Sequence, residues 1–364
     1  MNNHLDKFVE TDPFSLDKSR KGAMLNEALT DLTRHHYDRC PQYRRILDAL
    51  DFNTEKVHST EDFPFLPVQL FKEYDLLSID RDNVIKTMTS SGTTGQRVSK
   101  IYLDKDAARN QTKVLSKIVA SYLGQKRLPL LIIDTDSVIS DRTKFSARGA
   151  GILGFSNFGS DPTYALNDDM EINIEQVKQF LERHRSERIL LFGFTYMIWQ
   201  HFYRSLKKNQ YDLDLSNGIM IHGGGWKKLA DEAVDNDTFK QDFRLVCGLK
   251  NIFNYYGMVE QTGSIFMECE HGYLHAPIFS DILIRNARDF SVAKTGEKGI
   301  TEVISMLPTS YPGHILLTED IGEIAGEDDC PCGRKGKYFK IHGRIKNAEI
   351  RGCSDTYESK PKQH

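Results

Sequence analysis

Between two segments that read as strands lies Thr89-Ser90-Ser91-Gly92-Thr93-Thr94-Gly95-Gln96-Arg97, a run of hydroxyls punctuated by two glycines. Glycine lets the backbone pass close to an anion, and neighbouring hydroxyls can be aimed at phosphate oxygens. The run suits a triphosphate-holding loop, with Ser90, Ser91, Gly92, Thr93, Thr94 and Gly95 as the candidate contacts. It does not end in Gly-Lys-Ser/Thr, which disfavours a Walker-type kinase loop. Such a stretch also serves as a plain flexible turn, so the reading depends on what stands downstream.

Four further groups stand there. His222-Gly223-Gly224-Gly225-Trp226-Lys227 follows an apolar run and permits close backbone approach to a flat ring or a ribose; a strand-to-helix turn would look the same. Asn254-Tyr255-Tyr256-Gly257-Met258-Val259-Glu260-Gln261-Thr262-Gly263 brings together a stacking aromatic, a glycine and a carboxylate able to hold Mg²⁺ near phosphates. Thr318-Glu319-Asp320, at the end of an apolar strand, offers a carboxylate that could accept from both ribose hydroxyls. Gly343-Arg344-Ile345-Lys346-Asn347 reads as a turn presenting a planar cation.

Cysteines form a separate set. Cys269 and His275 flank a Gly272 turn, and Cys330-Pro331-Cys332-Gly333 makes a tight knuckle further on. Three thiols and an imidazole suit tetrahedral Zn²⁺, and a closed set of four would be structural. His271 competes with His275 for the nitrogen position, and unligated thiols are the alternative.

Elements must position these groups. Met24, Leu25, Ala28, Leu29 and Leu32 recur at helical spacing within residues 20–50, with a break at Pro41. Asp104 is placed to cap a helix with Leu115, Ile118, Val119 and Tyr122 on one face. Leu128 to Asp134, Arg188 to Gly193 and Gly218 to Ile221 are short apolar runs of the kind buried parallel strands show, with amphipathic stretches at 171–185 and 195–208 between them. Strand and helix in alternation argue a layered α/β fold. From residue 262 the pattern turns to strands at 282–284, 301–305 and 313–317. The expected organisation is a helical preface over 1–60, an α/β core over 61–261, a β-rich subdomain over 262–342, and a hinge and tail over 343–364.

Composition narrows the partners. With 48 basic and 51 acidic residues in 364 and no long run of one sign, neither nucleic acid nor an anionic membrane is expected. No stretch approaches the roughly 18 apolar residues a span needs, and the first residues lack a leader's apolar segment, so a cytoplasmic location is expected. Six cysteines in so long a chain are not a disulfide scaffold.

Taken in order, the hydroxyl loop, glycine turn, Tyr-Gly-x-x-Glu, Thr-x-Asp and Gly-Arg resemble the adenylate-forming superfamily of acyl-CoA synthetases, adenylation domains and luciferases, over about residues 60–350. The resemblance implies that Ser90 to Gly95 hold the pyrophosphate of ATP and that Gly223 to Gly225 with Tyr256-Gly257 form the adenine slot. It implies that Glu260 helps bind Mg²⁺ and that Asp320 and Arg344 hold the ribose and α-phosphate side. Two departures stand out: Gln96-Arg97 replaces the usual loop lysine, and only residues 345–364 follow Arg344, so the family's C-terminal cap is expected to be essentially absent.

Within the superfamily, Arg34-His35-His36-Tyr37, Gly223 to Lys227, Thr309-Ser310-Tyr311-Pro312, Thr318 to Gly322 and Arg351-Gly352-Cys353-Ser354 look like the acyl-protein synthetase family, the fatty-acid-activating component of the bacterial bioluminescence reductase complex. That resemblance implies Cys353 as acyl acceptor. A thiolate on a flexible tail is a good nucleophile toward an acyl adenylate, and Arg351, Lys360 and Lys362 would favour the thiolate. The expected substrate is a fatty or aromatic acid, the expected partner an acyl-accepting reductase-like protein, and self-association is open. The Cys330 to Arg334 knuckle looks instead like the phenylacetate-CoA ligase branch, which keeps a CoA-using ligase as the second reading; a non-catalytic nucleotide-binding scaffold is the third.

Overall fold

The computed structural model describes residues 5, 8–56, 59–90, 97–139, 147–226, 229 and 232–345. They fall into two compact units: the first is built from residues 1–88, 97–124 and 256–348, the second mainly from 125–255.

The second unit is organised on five parallel strands, in the order Asn251–Tyr256, Gly218–Gly223, Ile189–Phe194, Leu128–Ile132, Gly159–Tyr164. Three of them are the apolar runs expected from sequence. Ile189–Phe194 and Gly218–Gly223 are buried at every position, as strands covered on both faces must be. Gly159–Tyr164 escapes a pattern search because it is half exposed and carries Pro162, which an end strand tolerates. The register slips beside it at Pro129, where the ring lacks a ladder donor.

Capped helices cover this sheet's core. Asn173 accepts from Gln176 N at the start of Ile174–Arg183, and Asp235 accepts from Thr238 N at the start of Asn236–Cys247, which Gly248 closes in the left-handed region. Their apolar faces place Val177, Phe180, Phe239 and Phe243 against Leu131, Leu191 and Met220. Each fully buried Phe contributes on the order of 2–3 kcal/mol relative to exposure.

The first unit holds an antiparallel sheet ordered Ser280–Arg285, Lys298–Ser305, Ile315–Glu327, Lys337–Arg344, Leu274–His275, Phe266–Glu268. The Leu66–Pro67 strand joins Ile315–Glu327 in parallel. Helix Lys18–Arg39 begins at the Asp17 cap and buries Met24, Leu25, Ala28, Leu29 and Leu32, the face expected from spacing. Cys40 leaves the helical region and Pro41 opens the next helix, Pro41–Ala49. Asp104 does cap Lys105–Leu123, accepting from Ala107 N at 2.8 Å. The buried face there is Ala107, Val114, Ile118, Val119 and Leu123, while the expected Leu115 and Tyr122 are only half-buried. Among the described residues no helix is long and apolar enough to cross a membrane.

Candidate active site

In the first unit, Thr318-Glu319-Asp320 lies within the long strand Ile315–Glu327 rather than at a strand end, and Gly343-Arg344 closes the strand Lys337–Arg344 rather than forming a turn. The two strands pair so that Asp320 stands opposite Arg344, with a register slip immediately after, at Ile321/Gly322. Bulges of this kind re-aim side chains beside functional sites. Arg344 Nε sits 3.6 Å from Asp320 Oδ1, and its Nη1 sits 4.0 Å from Glu319 Oε2.

Tyr256 completes this group. Its hydroxyl donates to Asp320 Oδ2 at 2.7 Å, and its ring packs near Phe266 and Phe339, at centroid distances of 6.1 and 6.4 Å. Burial pushes the Asp320 carboxyl above its usual range, and the Tyr256 bond and the Arg344 charge pull it back. Burial and the facing Asp320 charge together hold the Tyr256 phenol well above its ordinary value, so it remains a donor. Sequence reasoning placed Tyr256 as a stacking ring and missed this bond, which only the tertiary register reveals.

Glu260 lies on the short helix Val259–Gln261 and is buried. Its carbonyl accepts from Tyr311 Oη at 2.9 Å, and the adjacent Gln261 Nε2 donates to Val303 O and Gly313 O at 3.0 and 2.9 Å. Gly263 ends the segment at φ 88°, where an added Cβ would meet Gln111 Cα at 2.7 Å. Burial raises the Glu260 carboxyl above its usual range, against the Ser99 hydroxyl and the Arg344 charge, which favour ionisation. A carboxylate held dry in this way is stabilised by an arriving cation.

In the second unit, Gly223 ends its strand at the carboxyl edge of the parallel sheet, where ligands of such sheets bind. An added Cβ at Gly223 would lie 2.5 Å from the Tyr255 ring, and Gly224 adopts φ +80°; among the described residues, chain neighbours aside, nothing lies within 4 Å of a Cβ added at Gly225. His222 turns inward, stacked on Phe239 at 4.6 Å with Nδ1 against Thr195 Oγ1 at 2.9 Å. Burial lowers its pKa to about 3, so it is neutral. Phe192 stacks on Phe155 at 4.1 Å and Trp199 on Tyr203 at 4.2 Å, both as core side chains.

Ser90 is half-buried at the end of strand Lys86–Thr89. Ser91, Gly92, Thr93, Thr94 and Gly95, together with Lys227, Lys346, Asn347 and Cys353, lie outside the described residues. Arg97, which stands near the position of the usual loop lysine, donates to Glu73 Oε2 at 2.5 Å, a pairing that occupies its charge.

The cysteine set converges. One donor atom from each of Cys269, His275, Cys330 and Cys332 lies within 4.8 Å of the others, and His271 is exposed outside the group. Arg34-His35-His36-Tyr37 meets the Thr309 to Pro312 segment and the residue before it: His35 Nε2 is 2.9 Å from Thr309 O and His36 Nε2 is 3.0 Å from Pro308 O. These two stretches therefore brace one another within the first unit.

A family model described as acyl-protein synthetase, LuxE, matches residues 2–361. A long-chain-fatty-acid–luciferin-component ligase of Vibrio harveyi is 24% identical over 332 residues, covering 88% of this chain and 84% of that protein. The protein of the same name from Aliivibrio fischeri is 22% identical over 335 residues, with 88% and 84% covered. Among solved structures, 2-hydroxyisobutyryl-CoA ligase, in an open conformation with 2-HIB-AMP and CoA, matches with a TM-score of 0.72 at 13% identity, over 92% of this chain and 72% of that one.

Proposed function

This chain belongs to the acyl-protein synthetase family and has the fold of adenylate-forming ligases, and on that premise we propose that it activates a carboxylic acid with ATP and passes the acyl group through Cys353 to a partner protein. The substrate carboxylate attacks the α-phosphorus of ATP, the α–β anhydride bond breaks and pyrophosphate leaves. The Cys353 thiolate, its proton already lost to solvent, then attacks the acyl carbonyl and expels AMP, leaving a thioester. A long-chain fatty acid is the favoured substrate, because that is what the names of both bacterial relatives specify. An acyl-accepting reductase-like protein is the proposed recipient, and the cytoplasm the place of action.

The observation that carries this reading is the Asp320 carboxylate held between Tyr256 and Arg344, with the buried Glu260 within the field of the same arginine. In this role Asp320 accepts from the ribose hydroxyls, Arg344 faces the α-phosphate, and Glu260 holds Mg²⁺. The cation would neutralise phosphate charge as pyrophosphate departs. Gly223 to Gly225 and Tyr256-Gly257 are assigned to the base, and Ser90 to Gly95 to the departing pyrophosphate. Catalysis on this reading comes from positioning and charge neutralisation.

The test is acid-dependent ATP–pyrophosphate exchange across fatty and aromatic acids, paired with acyl labelling of the wild type and Cys353→Ser. Exchange retained and labelling lost in the variant is the expected result. Labelling retained would remove Cys353 from the path. Acyl-CoA released faster than acyl-enzyme forms would favour the CoA-ligase reading, and no exchange with any acid would leave a nucleotide-binding scaffold.

A further inference from the structure

Nothing in the nucleotide chemistry uses the cysteine cluster of the first unit. We propose that Cys269, His275, Cys330 and Cys332 hold one structural Zn²⁺ that fastens the strand ending in Arg344. For a tetrahedral ion with Zn–S near 2.3 Å and Zn–N near 2.0–2.1 Å, sulfurs stand about 3.8 Å apart and sulfur stands about 3.5 Å from nitrogen. Cys269 Sγ is 4.0 Å from Cys330 Sγ, and Cys332 Sγ is 3.4 Å from His275 Nε2. Donors already at these separations, from residues 61 apart in the chain, need little rearrangement to close on an ion.

Both halves of the site are pre-shaped. Gly333 N donates to Cys330 O at 2.9 Å and Gly333 adopts φ +81°, which turns the Cys-Pro-Cys knuckle. Gly272 N donates to Cys269 O at 3.0 Å with φ +77°, and Cys269 N donates to Tyr273 O at 2.8 Å, which folds the other half. Soft thiolates with one imidazole select zinc over magnesium or calcium. Three thiolates leave the set with one net negative charge; Arg334, which donates to Glu270 Oε2 at 3.0 Å and lies 4.4 Å over the Tyr122 ring, stands beside it in the sequence after Cys332-Gly333.

Four protein donors close the coordination shell, so no position remains for a reacting water and the ion is structural. Its place in the sheet states what it holds. Cys269 directly follows strand Phe266–Glu268, His275 lies on Leu274–His275, and Cys330 and Cys332 precede Lys337–Arg344, three strands that are neighbours in the order. Leu274 pairs with Phe339 and His275 with Tyr338. The ion would pin the start of the strand whose last residue faces Asp320.

The experiment uses the full chain purified from zinc-supplemented cells, with metal measured by elemental analysis and stability by thermal unfolding. About one zinc per chain is expected, together with an unfolding temperature lowered by chelation and restored by zinc, and thiolate-to-metal charge-transfer absorption on cobalt replacement. Cys332→Ser, at the most exposed ligand, should lose most of the zinc. Folded wild type with only trace zinc, iron in its place, a Cys269–Cys330 disulfide, or a Cys332→Ser variant with full zinc would each overturn the proposal. Should that variant not fold, chelation and cobalt replacement on the wild type decide.

Discussion

The Tyr256 hydroxyl donates to Asp320 Oδ2 at 2.7 Å, while the same aspartate stands directly across the strand ladder from Arg344. Arg344 is too distant at 3.6 Å for a tight hydrogen bond, so the phenol fixes the carboxylate's orientation. Hydrogen bonds to charged groups contribute about 1.5–3 kcal/mol. Tyr256→Phe should therefore raise the KM for ATP in pyrophosphate exchange about tenfold or more, with a smaller change in kcat. An unchanged KM would show that Asp320 needs no orienting donor.

Glu260 sets activity against stability. Its folded pKa lies above the unfolded value, so the stability it contributes is full below the unfolded pKa and is lost as pH rises through the folded one. Burial thus makes the charged form of this carboxyl a burden on the fold unless a cation answers it. Glu260→Gln should show a higher urea midpoint than wild type at pH 7 without added Mg²⁺, and should slow exchange about a hundredfold. A lower midpoint would mean the carboxylate is satisfied by the protein alone.

The stacked pair His36 and His314, with centroids 4.9 Å apart, is one source of acid sensitivity. His36 Nδ1 is 2.7 Å from Ser78 Oγ, and His314 Nε2 is 3.1 Å from Thr33 Oγ1. Burial lowers both, His314 to about 3, well under the unfolded value of 6.5. The unfolded chain takes up these protons first, so their contribution is full above pH 6.5 and declines as pH falls toward 3. One such group removes about 2 kcal/mol between pH 6.5 and 5. Urea midpoints at pH 7 and 5 should fall less for His314→Gln than for wild type; equal falls would clear His314 of this role.

Much of this fold is visible in residue patterns, and the reasons for the exceptions are physical. Strands covered on both faces, such as Ile189–Phe194, read as unbroken apolar runs. Lys337–Arg344 does not, because Lys340 and His342 alternate with its apolar residues and Gly343 resembles a turn. Asp320, Arg344 and Glu260 can be picked out by residue type and order. Their meeting with Tyr256 depends on a register slip at Ile321/Gly322 that no local spacing encodes. His36 likewise looks like a polar helix position until the packing of Pro308 and His314 against it is seen.

The glycine turn separates two roles that a triplet of identical residues conceals. At Gly223 a methyl group would lie 2.5 Å from Tyr255 Cε1 and 2.6 Å from Cζ, and that ring is backed by Phe155 at 5.3 Å. Gly223→Ala should cost about 1–3 kcal/mol by overpacking, read from the denaturant midpoint. Among the described residues, chain neighbours aside, Gly225 has no atom within 4 Å of the added carbon, so Gly225→Ala should change stability by less than about 0.5 kcal/mol. If the turn's backbone approaches the adenine ring, the same substitution should still raise the KM for ATP several-fold. A Gly225→Ala variant with wild-type stability and wild-type KM would confine the glycines to packing and withdraw their assignment to the base.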